Sequence, residues 1–297
     1  MDEHYEFRQY PEGPFDGDDY IPSKKLAIAV NTALAAEQPL LVTGEPGTGK
    51  TRLAESVARR LGLGEVLTFV ARSDHQARDC LYSFDSLRRL HDAQVKSELA
   101  SSPANYVRYE ALGEAIRSPT PRVVLIDEID KAPRDFPNDL LGVLEGRLRF
   151  PVHETGETIE GKEGVRPFVI ITSNREQPLP HAFLRRCAFH HIEFPNDEEL
   201  GAIVRAKYSA KQISDRLLAA VLKRFREVRV SDVEKQPATG ELLAWVKVLL
   251  RARVTEADVL EKRLSELYPG VLLKLDEDFR RVLGATGDAK KAGSAAR

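Results

Sequence analysis

Cysteine, methionine and tryptophan are scarce in this chain of 297 residues, which has two, one and one of them respectively. The two cysteines, Cys80 and Cys187, lie far apart and neither belongs to a C-x-x-C pair, which argues against a disulfide framework and a cysteine zinc site. No apolar run approaches the roughly 20 residues of a membrane span, so we expect no membrane insertion. The start, MDEHYEFRQY, is acidic and lacks the apolar stretch of a signal peptide. The sequence therefore predicts a cytoplasmic protein.

An excess of basic charge is also missing. The chain has 44 Lys and Arg against 46 Asp and Glu, which gives a formal net charge of −2. Dedicated nucleic-acid-binding proteins usually carry a basic excess, so nucleic acid is not an expected partner. The length predicts two domains, at roughly 150 residues for each.

Strand-like and helix-like patterns alternate along most of the chain. Residues 1–19 are acidic and punctuated by Gly and Pro, which predicts a flexible lead-in. Residues 20–195 hold five short apolar runs separated by helical patterns, and this alternation predicts an α/β domain built on a parallel sheet. The runs are 39–43, 65–71, 122–126, 168–173 and 189–195; residues 148–167 read as a hairpin, and the polar stretch before residue 118 as helical segments. Helical patterns over residues 196–285 predict an all-helical domain. The low complexity of residues 286–297 predicts a disordered tail.

The first apolar run leads into a glycine-rich loop that matches G-x-x-x-x-G-K-[ST] in full and is followed by a helical pattern. Glycines let successive backbone N–H groups turn inward around phosphate oxygens, and the following helix points its positive end at the same place. A lysine here reaches the β and γ phosphates, and the next hydroxyl binds Mg²⁺. The predicted nucleotide-binding residues are Gly44, Glu45, Pro46, Gly47, Thr48, Gly49, Lys50 and Thr51.

Two acids follow the third strand-like run. Asp127 and Glu128 would lie at the carboxyl end of that strand, where open α/β sheets bind their ligands. We expect Asp127 to hold the Mg²⁺ shell and Glu128 to polarise the attacking water, because phosphoryl transfer depends mainly on positioned charges. Asp130 is expected to cap the helix that follows Lys131.

Two further candidates have an ordinary alternative. Asn174, at the end of the fourth strand, could bind the water or the γ-phosphate, or could simply open a loop. Arg185 and Arg186 precede the fifth strand and could stabilise phosphate charge if a neighbouring subunit supplies them, or could form a solvated basic turn.

The order of these segments, GEPGTGKT, VVLIDEID, IITSN and AFLRRC before a helical region, resembles the AAA+ ATPases. Within them, DEIDKAP at 127–133 and the hairpin at 148–167 resemble the MoxR-like group. The segment 236–250 is similar to the lid helix of a MoxR branch that includes CoxD-like ATPases. The resemblance covers about residues 20–285.

The resemblance implies a sheet of strand order 5-1-4-3-2 with a helical lid, assembled as a ring that is usually hexameric. It implies Mg²⁺-dependent ATP hydrolysis, with Asn174 as sensor 1 and Arg186, or secondly Arg185, as the arginine finger. Tyr20 and Ile21 correspond to adenine-cleft positions. The choice of ATP over GTP also comes from the resemblance, as do a client protein that is remodelled or activated and a partner with a von Willebrand A domain.

One departure from the family pattern concerns the helical lid. Many AAA+ proteins place a sensor-2 arginine near the start of the third lid helix, whereas this chain has Pro237-Ala238-Thr239-Gly240-Glu241 there. Lys247 is two turns further on. The missing arginine keeps open one alternative function, a nucleotide-gated interaction module with negligible turnover. The other alternative is a DNA-directed AAA+ motor subunit.

Overall fold

The computed structural model describes residues 9–12, 20–146 and 148–288, and the chain divides into two compact units. The first unit comprises the described residues up to Gly44 together with Lys50–Ile192. The second comprises Glu45–Gly49 together with the described residues from Glu193 onward. The division at Ile192 lies close to the boundary expected after residue 195. The grouping of loop residues Glu45–Gly49 with the helical unit was not expected.

The first unit contains six α-helices and nine strands within its described residues. The helices are α1 (Lys24–Ala35), α2 (Lys50–Leu61), α3 (Ser86–Gln94), α4 (Ala111–Arg117), α5 (Phe136–Leu144) and α6 (His181–Leu184). The strands are β1 (Leu40–Gly44), β2 (Leu67–Val70), β3 (Tyr82–Phe84), β4 (Val107–Tyr109), β5 (Val123–Asp127), β6 (Arg149–Val152), β7 (Glu157–Glu160), β8 (Phe168–Ser173) and β9 (Ala188–Ile192).

Five strands form one parallel sheet in the order β2-β5-β8-β1-β9. Numbered among themselves along the chain, these strands run 2-3-4-1-5, which is the predicted order 5-1-4-3-2 read from the other edge. All five residues of β1 and all six of β8 are buried. A continuous apolar strand is expected where helices cover both faces of a sheet. The prediction of the fold is confirmed.

Successive residues of each central strand pack into different hydrophobic cores, one on each face of the sheet, because side chains alternate across a sheet. Leu40 and Val42 share a buried cluster with Val57 of α2. Leu41 belongs to the opposite cluster, which includes Leu112 of α4 and Leu140 of α5. The sheet is therefore held rigid between two helical layers, and its strand ends are fixed positions for functional side chains.

Two small antiparallel strand pairs also belong to the first unit. The predicted hairpin appears as β6–β7. The second, β3–β4, lies in the stretch for which only helices were expected, since three-residue strands leave no readable alternation. Phe150 of the first strand pair packs against Tyr82 and Tyr109 of the second, with ring centroids 6.2 and 6.4 Å apart. The backbone N–H of His153 donates to the Tyr82 hydroxyl at 3.1 Å. These contacts join the two strand pairs into one structure.

The part of the lead-in that is described, residues 9–12, is not a solvated arm. Tyr10 is 1% exposed, and its hydroxyl lies 2.8 Å from the Ser56 Oγ. Its backbone exchanges two hydrogen bonds with the Asn31 side chain, at 2.8 and 3.1 Å, and Arg60 donates to the carbonyl of Pro11. The expectation of a flexible segment was wrong here because one buried aromatic anchors residues that otherwise read as loop. The rest of the lead-in lies outside the described residues.

The second unit is helical in its described residues from 193 to 288. Its helices are α7 (Asp197–Lys207), α8 (Asp215–Val230), α9 (Thr239–Arg251), α10 (Glu256–Glu261) and α11 (Asp276–Asp288). Trp245 is fully buried at the centre of their core, and its indole N–H donates to the Leu267 carbonyl at 2.6 Å. The last helix extends beyond the predicted end of the domain at residue 285. The rest of the predicted tail, residues 289–297, lies outside the described part.

Both cysteines are free and buried, and burial raises the pKa of the Cys187 thiol to about 12. Burial raises the pKa of Cys80 as well. Because the thiolate is the reactive form, neither thiol is an activated nucleophile. Among the described helices, none is both long and apolar enough to cross a bilayer.

Candidate nucleotide-binding and catalytic site

Three of the predicted site segments lie at one end of the central sheet. β8 lies between β1 and β5, and all three strands run in the same direction. Their carboxyl ends therefore bring together segments that are far apart in sequence. The glycine-rich loop follows β1, the acidic pair ends β5, and Asn174 follows β8.

The loop after β1 has the backbone shape of a phosphate cradle. Gly47 and Gly49 have φ of 76° and 89°, a left-handed conformation that costs glycine little. The Thr48 hydroxyl donates to the Glu45 carbonyl at 2.8 Å, which closes a turn inside the loop. The Lys50 ammonium donates to the Gly44 carbonyl at 2.8 Å, so the charge is folded back across the loop. With α2 beginning at Lys50, these residues fit a bound phosphate chain.

A pair of oxygen ligands stands beside this loop. The Thr51 hydroxyl donates to Oδ2 of Asp127 at 3.1 Å, and the Thr172 hydroxyl donates to Oδ1 of the same carboxylate. Hydroxyl and carboxylate oxygens are the ligands that Mg²⁺ prefers. Asp127 is thus held in place by a hydroxyl from each neighbouring segment, and Thr51 and Asp127 fit a shared magnesium ion.

Glu128 is fixed next to this pair in a strained conformation. Its φ of 57° and ψ of 47° are left-handed, which costs a residue other than glycine about 1–2 kcal/mol. Its backbone N–H donates to the Thr172 hydroxyl at 2.9 Å, which stabilises that geometry. The side-chain amide of Asn174 donates to Oε1 at 3.3 Å, and Lys131 donates to Oε2 at 2.7 Å. The bond to Glu128 raises the pKa of Lys131. The structure therefore brings Glu128 and Asn174 into direct contact.

The side chain of Asp130 makes different hydrogen bonds from those expected of a helix cap. It is 2% exposed, and its carboxylate accepts the backbone N–H groups of Asn174 at 3.1 Å and Glu176 at 2.8 Å. It does not cap α5, for which Asp135 is the N-cap. Asp130 instead fixes the loop that carries Asn174. Only the fold could reveal this role, because the acceptor and its two donors are 44 and 46 residues apart.

The two candidate arginines lie after α6. Arg185 is the C-cap of this helix, and Arg186 forms an ion pair with Glu145 at the end of α5. Both members of that pair are about half exposed, so the bond is one that a competing ligand can replace at small cost. A role for either arginine at a neighbouring subunit stays a prediction.

Tyr20 and Ile21 are partly exposed before α1, and the Tyr20 carbonyl accepts from Arg60 at 2.5 Å. Their assignment to the adenine base stays a prediction. At the start of α9, the backbone N–H of Ala238 donates to the Glu241 carboxylate at 3.2 Å. An acidic cap thus occupies the first turn of the helix whose start has no arginine in the sequence, and Lys247 is exposed further along it.

A family model described as "AAA domain (Cdc48 subfamily)" matches residues 36–227, about two thirds of the chain. Chaperone protein ClpB 1 of Nostoc is 34% identical over 138 residues, which are 45% of this chain and 13% of that chaperone. The uncharacterized protein YehL of Escherichia coli is 24% identical over 239 residues, covering 75% of this chain and 62% of YehL. The chain thus spans only a small part of the chaperone that it matches.

Solved structures of similar fold include RuvB of Thermotoga maritima. A point mutant of that protein superposes with a TM-score of 0.53 at 17% identity, covering 82% of this chain and 68% of that one. At this identity the likeness concerns the fold alone. The matched range, residues 36–227, includes the glycine-rich loop, the acidic pair and Asn174. The chain belongs to the AAA family of P-loop ATPases, which bind ATP with Mg²⁺.

Proposed function

We propose that this protein is a MoxR-like, ring-forming motor that hydrolyses ATP to remodel or activate a client protein. The observation that carries the proposal is the contact of Glu128 with Asn174 beside the Thr51–Asp127 pair. That arrangement supplies a base, a polar sensor and a metal ligand set on three adjacent strand ends. The MoxR assignment rests on the resemblance of DEIDKAP and of the hairpin β6–β7 to that group, as does a partner with a von Willebrand A domain.

In the proposed mechanism, Lys50 leaves the Gly44 carbonyl and binds the β and γ phosphates, while the loop N–H groups orient the phosphate chain. Thr51 and Asp127 hold Mg²⁺, which when bound neutralises charge on the phosphate oxygens. Glu128 accepts a hydrogen bond from the attacking water and withdraws its proton. Asn174 holds the Glu128 carboxylate and the γ-phosphate in register, and Asp130 fixes the backbone that carries Asn174.

Both carboxylate oxygens of Glu128 accept hydrogen bonds in the structure, from Asn174 and from Lys131. Each oxygen keeps a second lone pair, so a water can still donate a hydrogen bond to Glu128. The pair with Lys131 is substantially exposed, and such pairs are worth at most about 1 kcal/mol, so nucleotide binding can displace it.

A concentration series tests the ring proposal. Because the proposed site is completed by Arg186 of a neighbouring subunit, ATP hydrolysis per subunit is expected to rise with protein concentration. The oligomer size, measured by light scattering with and without ATP, should rise over the same range. A specific activity that stays flat while the oligomer grows would contradict a shared site and would favour the nucleotide-gated module. Stimulation by duplex or single-stranded DNA would favour the DNA-directed motor.

Exposed leucines on helix α3 support the client part of the proposal. Helix α3 has no buried residue, and its polar side faces the protein: Asp92 is half-buried and accepts from the Tyr106 hydroxyl at 2.8 Å. Its apolar side faces solvent. We define the α3 face as Leu87 and Leu90 of α3 together with Val95 and Leu99, which follow the helix; these side chains are 79, 58, 61 and 49% exposed. Clustered exposed apolar side chains are candidates for a protein-binding site.

Charges around the α3 face indicate the chemistry of the client segment. Asp85 is engaged as the N-cap of α3, accepting the Arg88 N–H at 2.9 Å, and Asp92 is bound to Tyr106. Arg88 and Lys96 are exposed beside the apolar side chains, against one further exposed acid, Glu98. The α3 face therefore suits an extended client segment that combines apolar and acidic residues.

The double variant Leu87→Ser/Leu90→Ser is expected to weaken binding of fluorescein-labelled casein, an acidic unfolded protein, by about tenfold or more. Each leucine forfeits about 1.5–3 kcal/mol of apolar burial if it is fully covered in the complex. Fluorescence anisotropy in ATP measures the dissociation constant. Leu260→Ser, which is 50% exposed on α10, is the matched control and should bind as the unchanged protein does. Equal loss in both variants would contradict a role for the α3 face.

A further inference from the structure

Arg229 of α8 is a buried cation with an unusually complete set of partners. It is 7% exposed. Its Nη1 donates to the Pro237 carbonyl at 2.6 Å, and its Nη2 donates to Glu45 Oε2 at 3.0 Å and Gln236 Oε1 at 3.1 Å. Its guanidinium lies 3.3 Å from the centroid of the Phe194 ring. A guanidinium so enclosed is stable only while these groups stay in place, since an uncompensated buried charge is costly.

One of these partners belongs to the phosphate loop. Glu45 is the residue after Gly44 in the glycine-rich sequence, and the structure groups Glu45–Gly49 with the helical unit to which Arg229 belongs. A second contact between the loop and the helical unit lies two residues further along the loop, at Gly47. A Cβ added at Gly47 would lie 2.7 Å from the Cβ of Ala238, so only glycine allows this approach. The loop is thus held at Glu45 by an ion pair and at Gly47 by close packing.

The loop conformation therefore depends on these two contacts as well as on the strand that precedes it. Phosphate binding by backbone N–H groups requires those groups to converge before the ligand arrives, because ordering them on binding reduces affinity. A bond from a buried arginine restricts the loop at its first variable position. The Arg229 side chain can restrict the loop because its other partners hold it in place. The ring of Phe194 and the carbonyl of Pro237 fix the plane of its guanidinium.

We propose that Arg229 is a positioning residue for ATP binding, which holds the phosphate loop in its binding conformation through Glu45. It does this without touching the nucleotide. Coupling between the helical unit and the loop then comes from α8, whereas the start of α9 has no arginine and carries the acidic cap Glu241. The inference rests on the proposed function insofar as the loop 44–51 is the ATP site.

The affinity for ATP is the quantity expected to change. The loop contacts phosphates in the ground state as well as during reaction, so loosening it should raise the dissociation constant and KM while kcat changes little. A charge-assisted hydrogen bond of this kind corresponds to about a tenfold to hundredfold change in affinity. Arg229→Gln and Glu45→Gln are both expected to raise the dissociation constant for a fluorescent ATP analogue within that range. Arg229→Lys should lie between them and the unchanged protein.

A second measurement does not depend on bound nucleotide. Hydrogen exchange of residues 45–49 in the nucleotide-free protein is expected to be about tenfold faster in Glu45→Gln and Arg229→Gln, because opening of the loop no longer breaks the ion pair. Arg226→Gln is the matched control. Arg226 lies on the same helix, bonds to Asp197 and stacks on Phe194 at 5.6 Å, so it shares the packing of Arg229 without a bond to the loop. It should leave exchange and affinity unchanged.

The double variant Glu45→Gln/Arg229→Gln separates positioning from general destabilisation. If the two residues act as one pair, the double variant binds ATP no more weakly than the weaker single variant. Additive losses, or an equal loss in Arg226→Gln, would overturn the inference. Glu45→Gln keeps the test decisive if Arg229→Gln does not fold, since Glu45 is half exposed. Failure of the unchanged protein to bind ATP would count against the proposed site itself, whereas equal binding by all variants would count against Arg229 alone.

Discussion

Glu128→Gln is expected to bind ATP as tightly as the unchanged protein and to hydrolyse it about 10²–10⁴-fold more slowly. Glutamine keeps the volume of the side chain and can still accept the Asn174 amide through its carbonyl oxygen. It cannot take a proton from water. The variant should therefore affect hydrolysis and not binding. The dissociation constant for ATP is expected to remain unchanged, whereas the rate of single-turnover hydrolysis falls by the stated factor.

The control for this variant is Glu157→Gln, an exposed glutamate on β7. It carries the same chemical change away from the strand ends and should hydrolyse ATP at the normal rate. Turnover near the normal level in Glu128→Gln would mean that Glu128 is not the base. Loss of both binding and turnover would mean that Glu128 supports the conformation of the site, for instance through the strained backbone next to Thr172.

Arg186→Ala is expected to reduce hydrolysis by about 10³-fold or more, in the range of arginine fingers that stabilise charge on a transferring phosphoryl group. The Glu145 pair that Arg186 forms in the free subunit is half exposed, so releasing the arginine costs little. ATP affinity should change far less than the rate. Steady-state hydrolysis at a saturating subunit concentration measures the effect, and Arg185→Ala, with the smaller expected loss, is the comparison.

A mixing experiment decides whether Arg186 acts on a neighbour. Arg186→Ala subunits keep Glu128, and Glu128→Gln subunits keep Arg186, so a mixed ring contains some complete sites. The mixture is expected to regain hydrolysis that neither variant shows alone. Loss without recovery on mixing would place the effect of Arg186 in its own subunit, where it pairs with Glu145. Normal activity of Arg186→Ala would remove it from the mechanism.

The central sheet shows which parts of the fold local sequence patterns can predict. Each of its strands is a short apolar run, and such runs are legible because strands covered on both faces carry few polar residues. The antiparallel pair β3–β4 was missed for the opposite reason. Its strands have three residues each and its partners Tyr82 and Tyr109 are separated by a helix and two turns, so no window of the sequence shows their pairing.

The same contrast holds in the site. The phosphate loop is one continuous segment, so its glycines and its lysine can be recognised from the sequence alone. Asp130 was expected to cap a helix because the residues next to it suggest one, yet its donors lie after β8. Thr172 was not singled out, although it donates to Asp127 and accepts from Glu128. A hydroxyl in a buried strand gives no sign of function until the neighbouring strand is in place.

The sequence by itself determined the class of sheet, the phosphate loop, the acidic pair and the helical character of the second unit, because each depends on residues that are close together in the chain. Only the tertiary structure decided how these parts are held. It buried Tyr10 against Ser56, tied Asn174 to Asp130 and tied Glu45 to Arg229. Each bond joins single polar residues from distant segments, and the geometry that selects one partner among many exists only after the sheet and the helices have packed.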